Sequence, residues 1–131
     1  MNELFRSDIA LIAAGCIGGV TAVIHAVLLR RLMVRPLEKL AANERTMGQS
    51  IRKLIRPLLD FSGFTWLCGG IALVIGGLWL QHEAQNALGT LVGTLFLYGA
   101  IGNLRATRGR HPGGYLMIAA VTLIAFALLS R

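Results

Sequence analysis

The chain has 131 residues, 55% of them hydrophobic, and its 13 Lys/Arg against 6 Asp/Glu give a formal net charge of +7. Long apolar stretches use up most of this length, so we expect one integral membrane domain over residues 1–131 and no separate soluble domain. The charge does not indicate nucleic-acid binding, because basic residues in a membrane protein first report topology and no base-reading motif is present.

Four apolar stretches predict four transmembrane helices. They cover residues 9–29, 58–80, 87–104 and 112–130. Lipid cannot hydrogen-bond a bare backbone, so apolar runs of about 20 residues are stable there as helices. Among the charged residues, only Asp60 falls clearly inside one of the runs. We therefore predict an all-α fold, a four-helix transmembrane bundle.

Span 1 carries a face of small residues. Its spacing Gly15-x-x-x-Gly19 permits two helices to approach closely, and Gly18, Thr21 and His25 continue the small and polar face toward the end of the span. Cys16 lies in the middle of this span and Cys68 in the middle of span 2. Their depths differ by roughly 4 to 5 Å at 1.5 Å of rise per residue, so we expect no disulfide between them.

The connection over residues 36–56 predicts a basic, amphipathic helix. Pro36 suits a first helical position. One interpretation places the helix in the membrane interface with its apolar stripe in the bilayer, and the other docks the stripe or the basic face on a protein. Asn43 and Gly48 also allow a broken helix, and we expect Pro57 to bend or restart the helix before span 2. The stripe consists of Leu37, Leu40, Met47, Ile51 and Leu54.

Spans 2 and 3 carry glycine faces as well. Helices in lipid associate through close packing rather than through a hydrophobic drive, and faces of small residues permit this packing. Glycines that recur on one face at helical spacing therefore predict helix–helix contacts. Across the first three spans these glycines are Gly15, Gly18, Gly19, Gly63, Gly70, Gly77, Gly89 and Gly93.

Each of the first three spans also has a polar residue near the same membrane edge, namely His25, Asp60 and Asn103. They lie within roughly 3 to 8 Å of that edge at 1.5 Å per residue. An ionisable group inside a span should face protein or water, so we predict that His25 and Asp60 meet in the bundle, with Asn103, Thr21 and Thr65 nearby.

Two roles for this polar cluster remain open. It could form an interhelical hydrogen bond that fixes the register of the helices, or a site for a proton or a ligand. For Asp60 a local explanation also exists, since the helix N-terminus after Pro57 and Arg56 four residues earlier would both stabilise a carboxylate.

The basic residues predict the orientation of the bundle. Apart from Arg6 and Arg131, all of them lie between spans 1 and 2 or between spans 3 and 4. The positive-inside rule then places both connections in the cytoplasm and both termini in the periplasm. We expect these side chains to contact anionic lipid or a partner: Arg30, Arg31, Arg35, Lys39, Arg45, Arg52, Lys53, Arg56, Arg105, Arg108 and Arg110.

The sequence contains no catalytic constellation, and we expect no cofactor. A membrane b-haem usually needs two histidines, whereas only His25 lies well inside a span. His82 and His111 fall in connections on opposite sides of the membrane. No cluster has metal-ligand spacing, so we predict no metal site.

Four short strings carry a resemblance to known proteins: Ile24-His25-Ala26-Val27-Leu28-Leu29, Val34-Arg35-Pro36-Leu37, Phe64-Thr65-Trp66-Leu67 and Arg108-Gly109-Arg110-His111-Pro112. In these strings the chain resembles small, uncharacterised four-span bacterial membrane proteins. Many of those have a Trp-His pair near the start of span 2, where this chain has Leu59-Asp60. The resemblance implies a bacterial inner-membrane location and brings no established activity.

We expect a small, non-enzymatic integral membrane subunit or accessory protein. Its small size and its amphipathic connection favour packing against other membrane proteins or against copies of itself. The alternative is a homo-oligomeric transporter or an ion or proton pathway that uses His25 and Asp60. A lipid- or quinone-binding enzyme is the interpretation that the sequence favours least.

Overall fold

The computed structural model describes residues 3–43 and 48–130, with side chains from residue 5 onward. Every element within these ranges is helical and none is a strand, which confirms the all-α prediction. In chain order the elements are α1 (Glu3–Leu29), a π-helical segment (Arg30–Val34), α2 (Arg35–Asn43), α3 (Gln49–Trp79), α4 (His82–Ala106) and α5 (Pro112–Leu129).

Four stretches of helix in the described chain are long and apolar enough to cross a membrane, as predicted. They run over Phe5–Asn43, Gln49–Trp79, His82–Ala106 and Pro112–Leu129. The first three extend well beyond the apolar runs of the sequence. Hydropathy marks the part of a helix that suits hydrocarbon, whereas the backbone hydrogen bonds continue into the polar flanks.

The four long helices form a closed bundle. Helix α1 packs against α3 and α5, and α4 packs against the same two helices from the other side. The centre is filled by the fully buried side chains of Leu11, Leu73, Phe96 and Met117. One end of the bundle carries Arg30, Arg56, Arg105 and Arg110, and we call it the basic end.

Helices α1 and α3 meet backbone to backbone where Gly70 faces Gly15 and Gly19. A Cβ atom placed on Gly70 would lie 2.7 Å from the carbonyl oxygen of Gly15 and 2.7 Å from the amide nitrogen of Gly19. Along the same seam Gly63 lies beside Ala26, and Gly77 lies against the backbone of Asp8. Such contact requires residues without side chains, and it is the close packing by which helices associate in lipid.

The other predicted glycines lie against large side chains. A Cβ on Gly18 would overlap the ring of Phe96 from α4, while Gly89 and Gly93 lie beside Ile124 of α5. Four further glycines, which were not among the predicted ones, also lie against large side chains. Gly69 lies against Val92, Gly76 against Leu88, Gly99 against the indole of Trp66, and Gly114 against Leu104.

The helix predicted over residues 36–56 is broken, as the alternative reading allowed. Helix α2 ends at Asn43, and Gly48 leaves the helical conformation (φ −58°, ψ 146°) just before α3 begins. The expected restart at Pro57 is wrong, because α3 continues through that residue as an α-helix. Arg45 and Met47 lie outside the described residues.

Helix α2 and the first turns of α3 pack against each other. Val34 and Ala41 are buried in this contact region, and the chain is helical from α1 through the π-helical segment into α2. The described residues 30–43 and 48–56 therefore form two packed helical arms that continue spans 1 and 2 past the basic end. We refer to these residues as the hairpin.

Candidate functional site

Asp60 lies at the basic end between two arginines. Its Oδ2 atom is 3.8 Å from Nε of Arg56, one turn earlier in α3, and 4.0 Å from Nη2 of Arg30, the first residue after α1. The Asp60 side chain is 38% exposed and that of Arg30 is 58% exposed. Both distances are longer than a hydrogen bond, so these are open ion pairs. In water such pairs contribute at most about 1 kcal/mol.

A groove opens beside this ion pair on the seam between α1 and α3. Its volume is about 330 Å³, and Arg30 and Asp60 line the part nearest the basic end, which we call its mouth. We call it the Arg30–Asp60 groove. Its apolar part faces outward from the bundle, since Val23, Val27 and Phe64 are all exposed. It is lined by Ala22, Val23, Ala26, Val27, Gly63, Phe64 and Leu67.

His25 belongs to a second cluster of three rings. Its ring centroid is 4.8 Å from that of Trp66 at an interplanar angle of 44°, and 5.9 Å from that of His111 at 70°. Trp66 is only 6% exposed and packs against Gly99 of α4. The cluster therefore joins all four long helices near the basic end.

His111 also holds the start of α5. Its Nδ1 atom accepts a hydrogen bond of 3.0 Å from the backbone N–H of Gly113, which caps the helix N-terminus. A neutral ring that accepts at Nδ1 carries its proton on Nε2. This role fixes the ring beside His25. The sequence placed His111 in a connection and missed the contact, although His25 and His111 lie at the same end of their spans.

The structure does not bring His25 and Asp60 together as predicted. Within the described residues no hydrogen bond or ion pair joins them. Asp60 instead pairs with Arg30 and Arg56, and the His25 ring lies against Trp66. Both depth and azimuth separate them. On α3, Trp66, which contacts His25, lies six residues from Asp60, which is about 9 Å along the helix axis and about 120° around it.

The three remaining members of the predicted cluster bond within their own helices. Each donates to the carbonyl oxygen four residues earlier: Thr21 Oγ1 to Ile17 at 2.7 Å, Thr65 Oγ1 to Phe61 at 2.9 Å, and Asn103 Nδ2 to Gly99 at 2.9 Å. Such bonds satisfy a polar group locally and need no partner helix. These three hydrogen bonds therefore do not link the helices.

A polar contact between helices does occur at the opposite end of the bundle, around Gln85. This side chain is 2% exposed, and its Nε2 donates to Asp8 Oδ1 and to the carbonyl oxygen of Gly76, both at 3.0 Å. Its Oε1 lies 3.4 Å from Nδ1 of His82. Gln85 thus ties α1, α3 and α4 together. Gln85 is absent from the predicted site residues because it lies within the polar stretch over residues 81–86, which is typical of a loop.

The basic side chains predicted to meet lipid or a partner lie at the basic end and on the hairpin. Arg52 is half-buried, and the others that the structure describes are exposed: Arg30, Arg31, Arg35, Lys39, Lys53, Arg56, Arg105, Arg108 and Arg110. Arg108 and Gly109 take positive φ values of 50° and 74° in the turn between α4 and α5. The exposed charges give this end of the protein a strongly cationic surface.

In the part of the chain that the structure describes, no group of three or more His, Cys, Asp or Glu side chains could hold a metal ion. Comparison with models of protein families, with curated proteins and with solved structures found no match for the chain. The interpretation of function therefore rests on the geometry of the helices.

Proposed function

We propose that this chain is a small, non-enzymatic membrane subunit that packs against another membrane protein, or against a second copy, through the outer face of α3. The observation that carries the proposal is an apolar face that continues from the membrane span into the hairpin. The first part of such a face can be covered by lipid. The second part lies beyond the hydrocarbon and needs a protein to cover it.

The outer face of α3 is apolar along its whole length. Leu54, Phe61, Cys68 and Ile75 recur every seven residues and mark its centre, and all four are exposed. The face is completed by Leu58, Phe64, Ile71 and Leu78, which are also exposed. Successive residues of the whole face are three or four positions apart, which is the spacing by which one helix packs along another.

This face reaches further than the hydrocarbon core does. The 31 residues of α3 span about 46 Å at 1.5 Å per residue, whereas the hydrocarbon core is about 30 Å thick. Ile51 precedes Arg56 by more than one turn and Leu54 precedes it by two residues, and both side chains are more than half exposed. Leu40 on α2 is also exposed on the hairpin. Exposed leucines outside the hydrocarbon favour a protein interface.

The setting that we propose is a bacterial inner membrane, with the basic end and the hairpin in the cytoplasm. The concentration of arginines at one end supports this orientation through the positive-inside rule. The same arginines would meet anionic lipid headgroups of that leaflet. The hairpin would then present its leucines to a cytoplasmic or membrane-embedded partner between these charges.

The geometry gives less support to a transport pathway through His25 and Asp60. Such a pathway needs both groups on one wetted route, whereas Asp60 faces Arg30 and His25 lies between the rings of Trp66 and His111. Replacing Asp60 by Asn would abolish a transport activity, whereas it would leave assembly through the outer face of α3 intact.

Photo-cross-linking in native membranes tests the proposal. A photoreactive phenylalanine analogue at Phe61, on the outer face of α3, should give a discrete protein adduct whose mass shows whether the partner is a second copy or another protein. The matched control places the same analogue at Phe126 of α5, which is also exposed but lies on another helix. Equal, diffuse labelling at both positions would overturn the proposal.

A further inference from the structure

The Arg30–Asp60 groove has the two parts that a phospholipid site needs. Its walls are aliphatic and aromatic, its floor is made of small residues where α1 and α3 meet, and it opens outward from the bundle. Its mouth carries charged groups at the basic end. A chain of methylene groups fits the first part, and a headgroup fits the second.

The charges at the mouth select among headgroups. Arg30 and Arg56 flank the single carboxylate of Asp60, so the three side chains together carry a net charge of +1. An arginine has five N–H donors, and ion pairs of 3.8 and 4.0 Å leave donors of Arg30 and Arg56 able to reach a phosphate. Asp60 is an acceptor only, so it attracts a group with N–H or O–H donors.

We propose that the groove binds one phospholipid whose headgroup carries an N–H or O–H donor beyond its phosphate. The acyl chain lies along Val23, Val27 and Phe64, the phosphate accepts from Arg30 and Arg56, and the donor reaches Asp60. Phosphatidylethanolamine and phosphatidylglycerol have such a donor, whereas the trimethylammonium group of phosphatidylcholine does not. The groove shares Phe64 with the outer face of α3 but none of the other residues named for that face, so the lipid site and the partner interface are tested separately.

Native mass spectrometry of the purified protein in detergent can measure this preference. The protein is titrated with phosphatidylethanolamine, phosphatidylglycerol and phosphatidylcholine of identical acyl chains, and with inorganic phosphate. We expect the first two to bind about tenfold more tightly than phosphatidylcholine, the difference expected for one hydrogen bond to a charged group. Inorganic phosphate, which lacks the chain, should not bind measurably. Equal binding of the three lipids would overturn the proposal.

Two substitutions separate the roles of the charged groups. Arg30→Gln should weaken all three lipids about tenfold, since it removes a donor to the phosphate that they share. Asp60→Asn should instead bring the preference for phosphatidylethanolamine over phosphatidylcholine, two lipids of equal net charge, close to one. Arg31→Gln is the matched control, because Arg31 is an exposed neighbour that does not line the groove.

The readout for Asp60→Asn is a ratio between lipids, so a general loss of stability does not imitate it. The readout for Arg30→Gln is the affinity relative to that of Arg31→Gln, which removes the same charge outside the groove. If Asp60→Asn keeps the full preference, or if Arg31→Gln weakens binding as much as Arg30→Gln does, the assignment of the headgroup to this groove is wrong.

Discussion

Replacing Gly70 by Ala should separate helices α1 and α3. The added Cβ would lie 2.7 Å from backbone atoms of Gly15 and of Gly19, about 0.7 Å short of the 3.4 Å at which ordinary contact begins. Backbone atoms cannot rotate away as a flexible side chain can, so the helices must move apart. Overpacking of this kind costs about 1 to 3 kcal/mol.

Gly19 provides the matched control on the same seam. A Cβ on Gly19 meets nothing within 4 Å, although its backbone touches Gly70. Gly19→Ala should therefore be neutral, or should stabilise the protein by up to about 1 kcal/mol through the higher helix propensity of alanine. The two variants add the same methyl group and differ only in what it meets.

The assay is unfolding of the purified protein in mixed micelles with increasing dodecyl sulfate, followed by the circular dichroism of the helices. We expect the midpoint of Gly70→Ala to fall below that of the wild type, and that of Gly19→Ala to stay level or rise. If both variants unfold at the same midpoint, the close contact of α1 and α3 is not where we place it.

Two further predictions concern stability in the same assay. Phe96→Ala should cost about 3 to 5 kcal/mol, because its buried ring fills the centre of the bundle; Phe126→Ala, at an exposed position, should cost far less, and equal losses would contradict the packing. Gln85→Leu should cost about 1 to 3 kcal/mol by leaving buried polar groups without their partner. Gln85→Glu would set a second carboxylate against that of Asp8, so its stability should rise as the pH falls and protonation removes the repulsion, whereas Gln85→Leu should show no such rise.

The four spans could be predicted because the lipid solvent leaves few alternatives to a helix. The ends of those helices could not. Helix α4 begins at His82 rather than at residue 87, since the polar turn around Gln85 is helical and buries its amide against α1 and α3. A polar residue in a short connection has no hydrophobic periodicity to reveal such a role.

The polar cluster shows that the depth of a residue in its span is not enough to predict which side chains meet. His25, Asp60 and His111 do lie near one end of the bundle, which their distance from the basic residues indicated for the first two. Which of them meet depends on differences in depth of one or two helical turns, on rotation around each helix axis and on which helices are neighbours. Asp60 turned out to face Arg30, and His25 turned out to face Trp66 and His111.

Glycines divide in the same way. Gly15 and Gly70 could be singled out because glycine-to-glycine contacts leave a spacing pattern on each helix. The setting of Gly99 could not, because its neighbour is the indole of Trp66 on another helix. This contact requires a large ring on one helix and a residue without a side chain on the other. Neither the tryptophan nor the glycine alone indicates the contact in the sequence.

The central claim is that the outer face of α3 is covered by protein in the membrane. The most direct test is the native mass of the assembly, purified in a mild detergent with its partners identified. We predict a stoichiometric complex heavier than the 14.1 kDa chain, and a loss of that complex when Leu54, outside the hydrocarbon, is replaced by Gln. A lone monomer from native membranes would contradict the account.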